Sequence, residues 1–286
     1  MQYVTLNNGV KMPQLGFGVY QIEKDECERC VLDAIETGYR HIDTAQAYNN
    51  EEEVGSAVIK SGIPRSEFFI TSKIFVNNYG YEKAKKAIEI SLERLKTDYI
   101  DLMLIHQPFG DYYGAWKAFE EMYEQGRLKA IGVSNFYPDR LVDLCCYSKI
   151  PPMVNQIETH PFNQQVEAQK WTEKYNVQIE AWAPFGQGRG EMFSNPAIAE
   201  IGKKYNKTVA QTILRWQLQR GIVVIPKSTH QERMKENFDV FDFELSAEDM
   251  AKMASLDKKQ GFSQPPHNTP EAVEKFFRLS EARKNS

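Results

Sequence analysis

The sequence lacks a strong charge of either sign, a long apolar run and a basic leader. Lys and Arg number 35 against 39 Asp and Glu, a formal net charge of -4. This balance gives no electrostatic reason to expect nucleic acid or an anionic membrane as a partner. No apolar run approaches the length of a membrane span, and the first ten residues, MQYVTLNNGV, have neither the basic nor the apolar region of a secretory signal. We therefore expect a cytoplasmic protein.

Cysteine is also scarce, with four in 286 residues. Cys27 and Cys30 form a C-x-x-C pair, a spacing that is used in redox and metal sites. They lie in a polar, helical segment and not between a strand and a helix N-terminus, while Cys145 and Cys146 are adjacent and distant in sequence. We interpret all four as ordinary thiols and expect no metal site.

The composition that remains is typical of a globular protein, with 42% hydrophobic and 26% charged residues. Asn7-Asn8-Gly9 predicts an N-terminal hairpin over residues 3–12. Eight short apolar runs follow, and they predict strands at 15–19, 39–43, 68–72, 99–105, 129–133, 153–157, 177–183 and 222–225. Helical periods between and after them predict helices at 25–37, from about 50, and at 81–96, 116–125, 141–147, 164–175, 197–205, 209–219, 232–238 and 248–256.

Most of the predicted strands are continuous apolar runs, which is typical of parallel strands buried on both faces. Eight strand–helix units without a linker favour an α/β fold, a (β/α)8 TIM barrel, as a single domain over residues 1–286. A doubly wound sheet is the alternative, but no G-x-G-x-x-G follows the first strand. In a ring of eight units the two cysteine pairs lie on opposite sides, which makes one shared metal site implausible.

Polar side chains recur at the carboxyl ends of the predicted strands. Any one of them could be a cap or a loop hydrogen bond. A barrel, however, directs all these strand ends to one mouth, where enzymes of this fold keep their chemistry. The residues are Asp43, Lys73, His106, Ser134, Asn135, Gln156 and Lys227.

Four residues suit the protonation of an oxygen that gains negative charge, as when a carbonyl takes up hydride. Tyr48 follows Asp43 by five residues and precedes a helix that we expect Asn50 to cap. A nearby Lys73 cation would lower the phenol pKa of Tyr48, and Asp43 would keep the lysine charged. His106 would orient a substrate oxygen. No side chain supplies hydride, so the reaction requires a cofactor.

A second cluster lies at the last predicted strand. Lys227 ends this strand, and Ser228, Thr229 and Arg233 open the following helix, an arrangement that binds phosphate well. A solvated helix face is the alternative. Trp182, at the end of the seventh strand, either stacks on a planar ring or packs in the core or rim.

These motifs resemble the aldo-keto reductase superfamily along nearly the whole chain, and most nearly its bacterial 2,5-diketo-gluconate and glyoxal reductases. The segments that carry the resemblance are GYRHIDTAQAYNNEEEVG, FFITSKIF, DLMLIHQPFGDYYGAW, AIGVSNF, VNQIETHPFNQ and IPKSTHQERMKENFDVFDFEL. The resemblance implies a (β/α)8 barrel with the N-terminal hairpin over its bottom.

The resemblance also implies residue roles. Tyr48 matches the general acid, Lys73 the cation that lowers its pKa, Asp43 the lysine's partner and His106 the orienting imidazole. The resemblance further implies the residues that bind NADP(H). Ser134, Asn135 and Gln156 match the positions at the nicotinamide carboxamide, and Trp182 matches the aromatic residue on the nicotinamide ring. Lys227, Ser228 and Arg233 match the positions at the 2′-phosphate, Glu236 and Asn237 match positions near the adenine, and the remaining cofactor-binding positions are Val19, Tyr20, Asp43 and Thr229.

Two regions depart from the family pattern. Gln107 stands where many eukaryotic members carry tryptophan, and residues 257–286 match least. Both regions usually shape the substrate pocket. We expect a monomeric or weakly associated NADPH-dependent reductase of small carbonyl compounds such as α-dicarbonyls, keto sugars or simple aldehydes. The rivals are a non-catalytic NADPH-binding sensor or subunit and a cofactor-free barrel lyase or isomerase.

Overall fold

The computed structural model describes residues 1–284, and a sheet of eight parallel strands lies at its centre. Backbone hydrogen bonds from Gly16 to Val224 O (2.8 Å) and from Val224 to Gln14 O (3.0 Å) join its two edges, which closes the predicted (β/α)8 barrel. The strands are the hairpin pair β1 (Tyr3–Thr5) and β2 (Lys11–Pro13), then β3 (Phe17–Gly18), β4 (His41–Asp43), β5 (Phe69–Ile74), β6 (Leu102–Ile105), β7 (Ile131–Ser134), β8 (Val154–Glu158), β9 (Gln178–Trp182) and β10 (Val223–Val224).

The helices form the outer layer, and most of them bury one face. In the helix over 81–94, Ala84, Ile88 and Leu92 are buried whereas Lys83 and Lys86 are exposed, as the helical period predicts. No helix in residues 1–284 is both long and apolar enough to cross a membrane. The helices are α1 (Lys24–Thr37), α2 (Glu51–Lys60), α3 (Tyr81–Arg94), α4 (Tyr112–Glu124), α5 (Pro138–Tyr147), α6 (Val166–Lys174), α7 (Pro196–Lys204), α8 (Val209–Gln219), α9 (Gln231–Phe238), α10 (Ala247–Ala254) and α11 (Pro270–Lys284).

The hairpin lies at the amino ends of the barrel strands, which is the expected bottom. Asn7 Nδ2 donates to Pro152 O (3.1 Å) and Asn8 Nδ2 donates to Lys129 O (2.9 Å). Pro152 precedes β8 and Lys129 precedes β7, so the turn of the hairpin is bound to the segments that enter these two strands.

Two helical segments differ most from the prediction. Helix α4 begins four residues earlier than expected, at Tyr112, because Asp111 Oδ1 accepts from Gly114 N (2.9 Å) and satisfies a first-turn donor. Helix α11, at Pro270–Lys284, is absent from the prediction. The last two residues of the C-terminal stretch, 285 and 286, lie outside the described residues.

Asn50 precedes α2 as predicted, but its side chain does not cap the helix. Instead it is fully buried and links the segment between β4 and α2 to the segment between β3 and α1. Its Oδ1 accepts from Thr44 Oγ1 (2.8 Å), and its Nδ2 donates to the carbonyls of Val19 (3.1 Å) and Ile22 (3.3 Å). The Thr44 hydroxyl thus occupies Oδ1, the atom that would accept from the helix N-terminus. The two buried carbonyls hold the amide in this orientation, since a buried acceptor without a donor is costly.

Candidate active site

A cavity of about 1330 Å³ opens at the carboxyl ends of the barrel strands. It is larger than the usual pocket for a small ligand. Its walls run from the loops after β4 and β6 to the segment between β10 and α9. The predicted site residues that line it are Tyr20, Asp43, Tyr48, His106, Ser134, Asn135, Gln156, Trp182, Lys227, Ser228, Thr229, Arg233, Glu236 and Asn237.

Lys73 is fixed within the barrel by a buried ion pair. Its side chain is 0% exposed, and Nζ donates to Asp43 Oδ1 (2.7 Å), Asp43 Oδ2 (2.8 Å) and Thr44 O (2.9 Å). The Tyr48 hydroxyl is 3.4 Å from the same Nζ. Burial alone would lower the pKa of Lys73, but Asp43, together with Tyr48 and Glu180, outweighs it and the lysine pKa is raised. Lys73 is therefore a cation that faces the Tyr48 hydroxyl.

The pKa of Tyr48 is raised to about 12, because burial disfavours the phenolate more than Lys73 favours it. The net lowering that we expected from Lys73 is therefore not found. Lys73 does act in the expected direction, but Asp43 opposes it by repelling a phenolate. Tyr48 is therefore a protonated phenol, and the Lys73 cation lies beside the phenolate that would form when it gives up its proton.

His106 lies beside Tyr48, with the two rings 5.8 Å apart at an interplanar angle of 76°. Burial and the charge of Lys73 hold the pKa of His106 well below its usual range, so the imidazole is neutral. Its Nδ1 is buried and has no hydrogen-bond partner in the described residues. A neutral imidazole beside a phenol can orient a substrate oxygen without competing for the proton that the phenol donates.

Ser134, Asn135 and Trp182 form one hydrogen-bonded group in the cavity wall. Asn135 Nδ2 donates to His106 O (3.1 Å) and Ser134 Oγ (3.1 Å), and Trp182 Nε1 donates to Asn135 Oδ1 (2.9 Å). Ser134 Oγ donates to Gln156 O (2.9 Å). Asn135 adopts a left-handed backbone (φ 63°), which asparagine tolerates better than most residues. The group ties the indole to the segment that carries His106.

A buried carboxyl group that we did not predict from the sequence lies below Ser134, Asn135 and Trp182. Glu180, on β9, is 0% exposed, and its Oε2 accepts from Gln156 Nε2 (2.8 Å). The same Nε2 donates to Asp43 Oδ2 (2.8 Å). Burial and the nearby Asp43 charge raise the pKa of Glu180 to about 8. The one signal in the sequence is the period of two that places Gln178, Glu180 and Trp182 on one face of the strand.

We expect Glu180→Gln to flatten the pH dependence of stability. Because the pKa is about 8 in the folded protein and about 4.3 in an unfolded chain, the folded state binds the extra proton between these values. Wild-type stability therefore falls as pH rises across that window, and the glutamine variant lacks this contribution. Urea unfolding at pH 5 and pH 8 measures it. If the difference in free energy of unfolding between the wild type and the variant were the same at pH 5 and pH 8, the raised pKa would be contradicted.

The far end of the cavity holds the second predicted cluster. Lys227 and Arg233 are exposed, whereas Ser228 and Asn237 are buried. Ser228 Oγ accepts from His230 N (3.1 Å), which shapes the turn into α9, and Glu236 Oε1 accepts from Thr208 Oγ1 (2.6 Å). Two cations and the open amino end of α9 thus face one end of the cavity, which suits a phosphate group.

One predicted cofactor position does not reach the cavity. Val19 is fully buried in the core, where its backbone N–H donates to Asp43 O (3.0 Å). Its neighbours Gly18 and Tyr20 line the cavity instead. The Tyr20 ring lies 4.9 Å from the Tyr48 ring.

Aromatic side chains from the C-terminal stretch cover the end of the cavity near Tyr48. The His267 ring lies 6.0 Å from Trp182 and stacks on Phe276 at 5.6 Å. Phe276, on α11, also packs on Phe109 (5.5 Å), and Arg283 Nη2 donates to Ala47 O (3.1 Å). Helix α11 is thereby bound across the mouth, and the unpredicted helix forms part of the candidate site.

Comparisons with known proteins agree with this geometry. The sequence model of the Aldo/keto reductase family matches residues 14–258. Glyoxal reductase of Bacillus subtilis (strain 168) is 48% identical over 259 residues, which cover 90% of this chain and 93% of the relative. The crystal structure of an aldo-keto reductase from a Medee basin deep-sea metagenome library has a TM-score of 0.91 at 45% identity, with 93% of this chain and 99% of that chain covered. A Bombyx mori aldo-keto reductase solved in complex with NADP has a TM-score of 0.87 at 33% identity, with 91% and 94% covered.

Proposed function

The chain belongs to the aldo/keto reductase family, and on that premise we propose that it reduces small aldehydes and ketones to alcohols with Tyr48 as the general acid. It is an NADP-dependent oxidoreductase. The observation that carries the proposal is the Tyr48 hydroxyl, which is 3.4 Å from a buried lysine cation at one end of the cavity. A protonated phenol beside a fixed cation suits proton delivery to an oxygen that gains negative charge.

The cavity fits a phosphate-bearing dinucleotide. Lys227 and Arg233 stand at the end that suits a phosphate, and Trp182 offers an aromatic face near the other end. Gln156 and Ser134 lie in the wall between Trp182 and Asp43, where they would hold an amide-bearing ring. When bound, NADPH supplies the hydride to the carbonyl carbon.

The proton comes from the protein. Tyr48 is protonated at neutral pH because its pKa is about 12, and it gives this proton to the carbonyl oxygen. Lys73 stabilises the phenolate that remains, and Asp43 holds Lys73 in place. Neutral His106 orients the same oxygen by donating from Nε2, which requires the tautomer with hydrogen on that atom. We assign Tyr48 and His106 direct contact with the substrate and Lys73 and Asp43 the support of Tyr48.

The substrate end favours small carbonyl compounds. Phe75 packs on His106 (5.7 Å), and Phe276 joins it to Phe109 and His267. Gln107 adds a buried amide to the wall. A relative at 48% identity carries the name glyoxal reductase. We propose α-dicarbonyls such as methylglyoxal, keto sugars and simple aldehydes as the substrate class.

NADPH oxidation by the purified protein tests the proposal across methylglyoxal, keto sugars and simple aldehydes. We expect turnover of at least one compound and formation of its alcohol. Binding of NADPH without turnover of any of them would contradict the proposal and favour a non-catalytic sensor. Failure to bind NADPH would favour a cofactor-free barrel enzyme.

We expect the double substitution Lys227→Ala with Arg233→Ala to weaken NADPH binding by about 10- to 100-fold, since each cation can form a charge-assisted bond to a phosphate. NADH lacks the 2′-phosphate, so its Kd should change little. Fluorescence titration with both cofactors measures the two constants.

Lys11→Ala is the matched control for this experiment, because Lys11 is exposed on β2 at the opposite end of the barrel. Its cofactor affinities should equal those of the wild type. Equal losses for NADPH and NADH in the double variant, or no loss for either, would remove Lys227 and Arg233 from the proposed phosphate site.

A further inference from the structure

The side-chain amide of Gln156 lies between two buried carboxyl groups inside the barrel. Gln156 and Glu180 are direct partners in the pairing of β8 and β9, and both side chains point into the barrel interior. Gln156 Nε2 is 2.8 Å from Asp43 Oδ2 and 2.8 Å from Glu180 Oε2. Both hydrogens of this NH₂ group are therefore donated within the protein.

This arrangement fixes which end of the amide meets the cavity. Gln156 lines the cavity, and with both Nε2 hydrogens engaged, its carbonyl oxygen is the group left to a ligand. If the amide turned over, a carbonyl oxygen would face the Asp43 carboxylate, which accepts only. The site therefore presents an acceptor, and it selects a ligand group that donates N–H.

The surroundings of Glu180 argue against a purely structural role. Its Oε1 is buried and lacks a hydrogen-bond partner in the described residues, although His41 Nε2 is 3.4 Å away. Burial lowers the pKa of His41 to about 3, so His41 is neutral and does not neutralise the carboxyl group. The other charged groups that face Glu180 are Asp43, which opposes its ionisation, and Lys73, which favours it. A buried carboxyl group with an oxygen that accepts no hydrogen bond lowers the stability of the folded protein. A well-packed apolar side chain at the same position is often at least as stabilising.

We propose that Glu180 is a positioning residue that holds the Gln156 amide with its carbonyl toward the cavity, so that it accepts from the carboxamide NH₂ of the nicotinamide. The proposal rests on the function proposed above. Without Glu180, one Nε2 hydrogen loses its acceptor, and the amide gains freedom to turn over. The role does not require Glu180 to touch the cofactor or the substrate.

The test compares binding of NADP⁺ with binding of its 3-acetylpyridine analogue, in which a methyl ketone replaces the carboxamide and removes the donor. We expect the wild type to bind NADP⁺ more tightly by about 3- to 10-fold, the range of one net hydrogen bond. Glu180→Leu should reduce this ratio toward one. Glu180→Gln keeps an oxygen that accepts from Gln156, so it should retain the ratio.

The controls separate orientation from folding. Gln156→Met removes the amide and should reduce the ratio of the two affinities toward one, as Glu180→Leu does. Should the leucine variant not fold, the unbranched Glu180→Met carries the same test. A wild-type ratio in a folded Glu180→Leu or Glu180→Met protein would overturn the proposal. A wild type that binds neither dinucleotide would instead overturn the proposed function, so the two failures are distinguishable.

Discussion

Tyr48→Phe is expected to lower kcat for carbonyl reduction by about 10²- to 10⁴-fold, the usual contribution of a positioned acid. The substitution removes the hydroxyl that lies 3.4 Å from Lys73 and leaves the ring against Tyr20 and His106. The Kd for NADPH should change little because the phenol oxygen is not part of the proposed phosphate or carboxamide contacts. Steady-state NADPH oxidation and fluorescence titration measure the two quantities separately.

Tyr147→Phe is the matched control, because Tyr147 is an 80% exposed tyrosine on α5 and does not line the cavity. Its kcat should equal that of the wild type. If Tyr48→Phe retains wild-type kcat while it binds NADPH, the proton comes from another group, and the neighbouring His106 becomes the first candidate.

Lys73→Met should both destabilise the protein and abolish reduction. Asp43 is 2% exposed, and the substitution would leave its carboxylate buried without a cation. Removing one partner of a buried pair costs about 3–5 kcal/mol in the free energy of unfolding. Activity falls because no cation remains to stabilise the Tyr48 phenolate. Urea unfolding and NADPH oxidation measure the two effects.

The double variant Asp43→Asn with Lys73→Met separates stability from catalysis. It removes both charges, so much of the lost free energy of unfolding should return, whereas activity should stay absent. A double variant that reduces carbonyls would contradict the role of Lys73 beside Tyr48. A single variant as stable as the wild type would show that the buried pair does not contribute as its geometry implies.

The barrel could be predicted because its strands obey a simple physical rule. Parallel strands buried on both faces are continuous apolar runs, and a polar residue that ends such a run lies at the mouth. Asp43, Lys73 and His106 were singled out on this basis. The structure places Asp43 and His106 in the wall of one cavity and Lys73 behind that wall, 3.4 Å from the Tyr48 hydroxyl. The predicted strand bounds were too long in most cases, since apolar loop residues extend the runs.

Glu180 escaped the same rule because it lies at the middle of the predicted strand over 177–183 and not at its end. Its importance depends on the pairing of β8 with β9 and on Asp43 from β4, and no local pattern encodes either contact. The pKa of Tyr48 shows a similar limit. The sequence predicts a nearby cation, but how strongly burial opposes it depends on the assembled cavity.

Helix α11 was missed for a different reason. Its exposed residues include the large apolar side chains Val273, Phe277 and Leu279, so its apolar positions do not mark one buried face. Its position depends on Phe276 against Phe109 and on Arg283 bound to Ala47, contacts between segments that are far apart in sequence. The size of the substrate cannot be predicted from the sequence for the same reason, because these contacts place α11 across the mouth of the cavity.

Transfer of deuterium from [4-²H]NADPH to methylglyoxal, keto sugars or simple aldehydes tests the central claim most directly. In a wild-type reaction with stereospecifically labelled cofactor of each configuration, one label should appear on the carbon of the new alcohol. The alcohol O–H exchanges with water, so no label stays on oxygen. Label in the product from one configuration would agree with direct hydride transfer within this cavity. Product without label from either configuration, or no product while NADPH binds, would contradict the account.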